Sequence, residues 1–253
     1  MATDLQKASI WKRISAWLFD GILFSILAVA VGVILSWALG YDGYATQLEQ
    51  DFEKYEARYG VTFEMSQAEF EAMTEEERTN YNTAYEALIA DTDAMYAYNM
   101  MLNLTLVILS LAILVAVAVV QWLIPMKLGN GQTPGKKIFG LCLMRTDGVM
   151  INNMLLFTRS LLGKYTVETM IPVLIVLMIY WGTMGVMGTL ILAALLFGQL
   201  GCVLFTRTNS AIHDLMAGTV VVDYGSQTIF KTTEDLIAYQ KKVAADRVSR
   251  APY

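Results

Sequence analysis

The chain has 253 residues, 56% of them hydrophobic and 16% charged, with a net charge of −5. Soluble domains carry about a quarter charged residues, so this composition belongs to a membrane protein. One His and two Cys exclude most metal and disulfide frameworks; no metal, no cofactor and no nucleic-acid partner is expected.

The first element is the apolar run Trp17–Leu39, preceded by Lys7, Lys12 and Arg13. A helix needs about 20 such residues to cross the hydrocarbon of a bilayer. Asp20 is the run's single charged residue. A carboxylate there costs on the order of 2.5 kcal/mol or more at the helix centre and less near an end, so Asp20 has a partner or a job. Ser36-Trp37-Ala38 loosely resembles a cleavage site. The run is nevertheless longer than the roughly 7–15 apolar residues of a signal peptide, carries Asp20 and is followed by further spans, which predicts an uncleaved helix.

Residues 41–99 form an acidic insertion with helical patterning. Ser66-Gln67-Ala68-Glu69 and Thr74-Glu75-Glu76-Glu77 are capping boxes. Tyr81, Ala84, Tyr85, Leu88 and Met95 recur at helical spacing and supply one side of a helical hairpin. The acids read as solvated helix faces, with attraction of cations or a basic partner as the alternative.

A second span covers Leu102–Ile124 and closes at Pro125. The loop 126–165 follows, with the sequence GNGQTPGKKIFGLCLMRTDGVMINN. A phosphate-binding loop needs four residues between its glycines and a Ser or Thr after its Lys. Here only Gln132, Thr133 and Pro134 separate Gly131 from Gly135, and Lys137 follows Lys136, so nucleotide binding is not expected. The segment reads instead as a turn feeding a hairpin: a strand over Ile138–Met144, an Asp147-Gly148 turn and a return at Val149–Ile151. Lys136, Lys137 and Arg145 are then free to lie against anionic lipid headgroups, at about 1 kcal/mol each. Cys142 and Cys202 read as reduced packing thiols.

Between Thr166 and Leu204 the apolar region is too long for one crossing, and Gly182, Gly185 and Gly188 interrupt it. A third span near Val167–Tyr180 and a fourth near Val186–Phe205 are the simplest division. Glu168 and Pro172 make the third marginal, and a re-entrant or interfacial helix is its alternative. The motif RTNSAIHDLMAGTVVVD comes next. Its His213 beside Asp214 is either a proton relay titrating near neutrality or a polar helix end satisfied by Arg side chains and backbone. Thr219–Val222 is a candidate strand beside the hairpin, and residues 223–253 form a tail.

Lys and Arg before the first span, in the loop 126–165 and after the last span contrast with fourteen Asp and Glu against Lys54, Arg58 and Arg78 in the segment 40–101. This places both termini and the middle loop in the cytoplasm and the acidic insertion outside. The fold class that follows is an all-α integral membrane protein. It has about four transmembrane helices, a helical acidic extracytoplasmic insertion and a short cytoplasmic-side β-hairpin.

Four motifs in order carry a family resemblance: Arg13-Ile14-Ser15-Ala16-Trp17-Leu18-Phe19-Asp20; Gly131-Gln132-Thr133-Pro134-Gly135-Lys136-Lys137 followed by GLCLMRTDG; Phe157-Thr158-Arg159-Ser160; and His213-Asp214-Leu215-Met216-Ala217-Gly218-Thr219-Val220-Val221. Together they resemble the RDD family of bacterial and archaeal membrane proteins, named for an Arg and two Asp. The resemblance covers roughly residues 8–222 and skips 41–99. It implies a multi-pass protein of the cell membrane, and transport, including sodium/proton exchange, has been proposed for some members.

Arg13, Asp20, Arg159, His213 and Asp214 are the candidate charge network. Arg13 and Asp20 are separated by roughly 10 Å of helix rise. Asp20 is therefore expected to pair across the bundle with Arg159 or Lys164, and Asp214 with Arg13. One role for the set is to tie helix ends together in an assembly or partner-binding protein; this is slightly favoured, because Asp20 lies near the end of its span rather than at the midplane. The alternative is a cation/proton transporter with Asp20 as the carrying group. Small residues around Gly182–Gly201 fit a homo-oligomer. The insertion 41–99 is a candidate surface for an extracytoplasmic protein partner. No Ser/His/Asp arrangement at workable spacing supports an enzyme.

Overall fold

The computed structural model describes residues 7–249. Helix α1 spans Ile10–Ala38, and α2 (Tyr41–Tyr59), α3 (Gln67–Ala72) and α4 (Glu75–Ala90) make up the acidic insertion. Helix α5 then runs Thr92–Leu128, followed by α6 (Pro134–Ile138) and strand β1 (Leu141–Arg145). Helices α7 (Asn153–Tyr180) and α8 (Gly185–Phe205) lead to α9 (Ile212–Met216), strand β2 (Thr219–Asp223) and α10 (Thr233–Ser249). Of these, α1, α5, α7 and α8 are long and apolar enough to cross a membrane.

Two compact units are present, one comprising Val29–Ala112 and the other the flanking segments up to Ala28 and from Ile113. In the first, both capping boxes form: Ser66 and Thr74 accept from the N–H of Glu69 and Glu77, whose carboxylates bond back. Tyr55, Leu88 and Ala94 make the core of the insertion, with Tyr59, Phe63 and Ala87 against them. Asp91 accepts from Lys54 Nζ (3.1 Å), Tyr55 OH (2.9 Å) and the N–H groups of Asp93 and Ala94 at the start of α5. These bonds hold its carboxyl down at about 2. No helix breaker separates Thr92 from Leu102, so the end of the insertion and the second span form one helix.

In the second unit α5 and α7 both widen into π-helical winding, over Ala118–Leu123 and Thr158–Met170. Each wide stretch ends two residues before a proline, Pro125 or Pro172. Proline has no N–H and clashes with the carbonyl four residues back, and shifting the bonding to i→i+5 accommodates it within a continuous helix. Pro125 therefore does not close the second span, which runs on to Leu128. Nor does the third membrane segment begin near Val167: Asn152 caps the N–H of Leu155 at 2.8 Å and starts the helix at Asn153.

The hairpin expectation needs revision in its pairing. β1 pairs antiparallel with β2, Leu141 opposite Asp223 and Arg145 opposite Thr219. The Asp147-Gly148 turn is present, but the return limb makes a single bridge to β1, Met144 to Met150, with another from Val149 to Phe230, because the cap at Asn152 follows at once. Ile138 ends helix α6 rather than opening the strand, which begins at Leu141. Leu141, Leu143 and Val221 pack with Ala16 and Leu156 on one face of the sheet, and Cys142, Met144, Val220 and Val222 with Ile229 on the other. Both faces are buried, so the strands read as unbroken apolar runs.

Candidate charge network

Asp20 is 5% exposed on α1. Thr133 Oγ1 donates to its Oδ2, and the N–H of Gly135 donates to its Oδ1 at 2.8 Å. Thr133 also caps α6, accepting from the N–H of Lys136 at 3.3 Å, with Pro134 at the first helical position. The Gly-Lys loop is thus docked on the first membrane helix through one carboxylate. Gly135 is required by that approach: a Cβ there would stand 2.3 Å from the Ala16 carbonyl oxygen. The expected pairing of Asp20 with Arg159 or Lys164 does not occur. Those residues lie on α7 and are engaged elsewhere.

Arg159 is 1% exposed and donates from Nε to Asp214 Oδ1 at 2.8 Å. Its Nη2 lies 2.8 Å from His213 Nε2, and His213 Nδ1 lies 2.6 Å from Glu168 Oε2. An arginine only donates, so Nε2 accepts and the imidazole is the neutral Nδ1–H tautomer, donating to Glu168. Burial, reinforced by Arg159, pushes the imidazole down to about 4, against the pull of Asp214. Burial alone would raise the Asp214 carboxyl; Arg159 and His213 outweigh it and hold the group well below the usual carboxylate range. This geometry matches the satisfied helix end rather than a relay titrating near neutrality.

Arg13 reaches the same carboxylate from α1, with Nη2 3.8 Å from Asp214 Oδ2, and donates from Nη1 to the Asn209 carbonyl at 2.6 Å. The expected Arg13–Asp214 pairing is present as a long contact. Glu168 Oε1 accepts from the His213 N–H at 3.0 Å and from Gln199 Nε2 at 3.0 Å. Lys164 Nζ donates to Gln121 Oε1 at 2.7 Å, and Ser160 Oγ to the Gln121 carbonyl at 2.7 Å. Gly163 lets α9 approach: a Cβ there would stand 2.5 Å from His213 Cβ.

Glu168, Gln121 and Gln199 were not among the sequence candidates. At the 100° per residue of an α-helix, nine positions put Glu168 half a turn away from Arg159. Under i→i+5 winding nine residues are roughly two turns, and both side chains meet α9. The available signal was polarity alone, a Glu and two Gln inside apolar helices.

The lipid-contact expectation divides. Lys137 is exposed, and Arg145 is partly exposed and paired with Asp147 at 2.5 Å. Lys136 does not face outward: it is 7% exposed, and its Nζ has no hydrogen-bond partner among the described residues. The geometry of the loop explains this, because docking Gly135 on Ala16 and Asp20 turns the next side chain inward. A cavity of about 900 Å³ lies in this unit, lined by Arg13, Asp20, Lys136, Arg159, Glu168 and Asp214 with apolar residues of α1. Among the described residues no three His, Cys, Asp or Glu gather as a metal site.

A family model described as RDD family matches residues 7–218 of the chain. The chain belongs to the RDD family. Arg13, Asp20 and Asp214 are the Arg and two Asp expected from the resemblance, and two of the three share one contact. No curated protein and no solved structure matches this RDD chain.

Proposed function

We propose that this RDD-family membrane protein is an assembly or partner-binding protein whose intramembrane charges tie its helix ends together. The observation that carries the reading is the engagement of Asp20. Both its oxygens accept from the loop at Thr133 and Gly135, which gives the carboxylate a structural role in docking that loop on the first helix. The chain is read as non-enzymatic. The distribution of Lys and Arg supports both termini and the loop 126–165 on the cytoplasmic side of a bacterial or archaeal cell membrane, with the acidic insertion outside. Only 6% of the apolar window of α1 and of α8 is covered within the chain. Those faces meet lipid and, on this reading, further copies of the chain.

The competing reading is cation/proton exchange with Asp20 as the carrying group, and the polar lining of the cavity favours it. The two separate in proteoliposomes under imposed sodium, lithium or potassium gradients. The assembly reading expects no proton flux from folded wild-type protein. Flux that disappears in a folded Asp20→Asn variant would replace it with the transport reading. Deleting residues 44–97 is expected to release a co-purifying partner while the remainder still inserts, and an unchanged set of partners would count against that role for the insertion.

A further inference from the structure

We propose that the cavity in the second unit is a binding site for a phosphate oxyanion, held between Lys136 and Arg159 and delivered as the headgroup of a phospholipid. This goes beyond the assembly reading and stands on a separate observation. Lys136 is 7% exposed and Arg159 1% exposed, and both line the cavity. Lys136 Nζ and Arg159 Nη1 have no hydrogen-bond partner among the described residues. A buried cationic donor without a partner is costly, and two in one cavity define a place for an anion. Guanidinium and ammonium are the usual partners of phosphate.

The neighbouring acids do not answer those donors. Asp20 is engaged by Thr133 and Gly135, and Glu168 by His213 and Gln199. Asp214 gives Oδ1 to Arg159, while its Oδ2 lacks a hydrogen-bond partner and has only Arg13 at 3.8 Å. Two free cationic donors and one free carboxylate oxygen suit an anion that also carries a hydroxyl. The phosphodiester oxygens accept from Lys136 Nζ and Arg159 Nη1, and the hydroxyl donates a hydrogen bond to Asp214 Oδ2. A phosphoglycerol headgroup has this chemistry. The remaining lining includes Trp17, Leu18 and Ile22, exposed apolar residues of α1 suited to an acyl chain. This is an internal site and differs from attraction of Lys137 and Arg145 to a membrane surface.

Occupancy is linked to protons. Burial, with Arg159 and Lys164 nearby, pushes the Lys136 ammonium well below its ordinary value, against the weaker pull of Asp214 and Asp20. The titratable groups around it are Arg13 and Asp20 from α1, Arg159, Lys164 and Glu168 from α7, and the neutral His213 and charged Asp214 from α9. An added anion favours the protonated amine, so binding takes up a proton and tightens as pH falls.

The test uses the full chain in uncharged detergent, titrated with short-chain phosphatidylglycerol, with phosphatidylcholine of the same chain length, and with inorganic phosphate. Binding is followed by thermal shift and by native mass spectrometry. Phosphatidylglycerol is expected to raise Tm and to be retained, with tighter binding at lower pH. Lys136→Met removes a buried amine that lacks a hydrogen-bond partner, so that variant is expected to fold with an unchanged or higher lipid-free Tm and to bind at least tenfold more weakly. Lys137→Ala is expected to bind as wild type. Competition by inorganic phosphate supports recognition of the oxyanion itself. Inorganic phosphate binding at Lys136 without lipid binding would overturn the lipid as its source. Equal loss in Lys136→Met and Lys137→Ala, or no binding of any probe, would overturn the site.

Discussion

The N–H of Gly135 lies 2.8 Å from Asp20 Oδ1, and a methyl group on Gly135 would fall 2.3 Å from the Ala16 carbonyl oxygen. One contact therefore accounts for both the aspartate in the first span and the glycine in the loop. Gly135→Ala is expected to cost about 1–3 kcal/mol or more, since backbone rather than a flexible side chain must move. Asp20→Ala is expected to cost roughly 1.5–3 kcal/mol through loss of its charge-assisted bonds. Thermal unfolding in detergent measures both. An unchanged Tm in Gly135→Ala would show that the loop is not docked this closely.

Arg159 and Asp214 are both about 1% exposed and joined at 2.8 Å. Removing either partner leaves a buried charge without its close counter-ion, so Arg159→Met and Asp214→Leu are each expected to cost about 3–5 kcal/mol. The double variant is expected to cost less than the sum of the singles. Additive losses in a double-mutant cycle would mean that the pair is not coupled.

His213 is the chain's single histidine, so ¹⁵N-histidine NMR reports on it without assignment. The neutral Nδ1–H tautomer is expected at pH 7. With the imidazole at about 4 in the fold against about 6.5 when unfolded, its contribution is complete above pH 6.5 and is lost as pH falls toward 4. The loss is on the order of 3 kcal/mol across that window. Tm of wild type and His213→Gln should diverge in pH dependence between these limits; parallel curves would exclude a buried neutral imidazole.

Cys142 sits in β1 with no exposed surface, and burial pushes its thiol up to about 12. Folded protein at pH 7.5 is expected to resist maleimide labelling at Cys142 and to label on denaturation. Rapid labelling of Cys142 in folded protein would place β1 at an accessible edge.

Much of the architecture was legible in the chain because it rests on local pattern. Apolar length marked the four membrane helices, reciprocal Ser/Glu and Thr/Glu spacing marked α3 and α4, and the Arg13, Asp20 and Asp214 motifs marked the family. Partners across the fold were not legible. Asp20 looked like one half of an ion pair and instead holds a loop 115 positions away. Lys136 looked like a surface lysine and is buried. Glu168 looked like a flaw in a weak span and contacts His213.

The sequence by itself determined which segments are apolar, where helices are capped and which polar residues stand inside them, since each follows from composition and spacing along a short stretch. Only the tertiary structure decided the pairings. The π-helical winding before Pro172 changes which residues of α7 share a face, and the docking of Gly135 on Ala16 sets where Lys136 points. Both depend on backbone geometry created by long-range packing, which residue spacing in an ideal helix cannot anticipate.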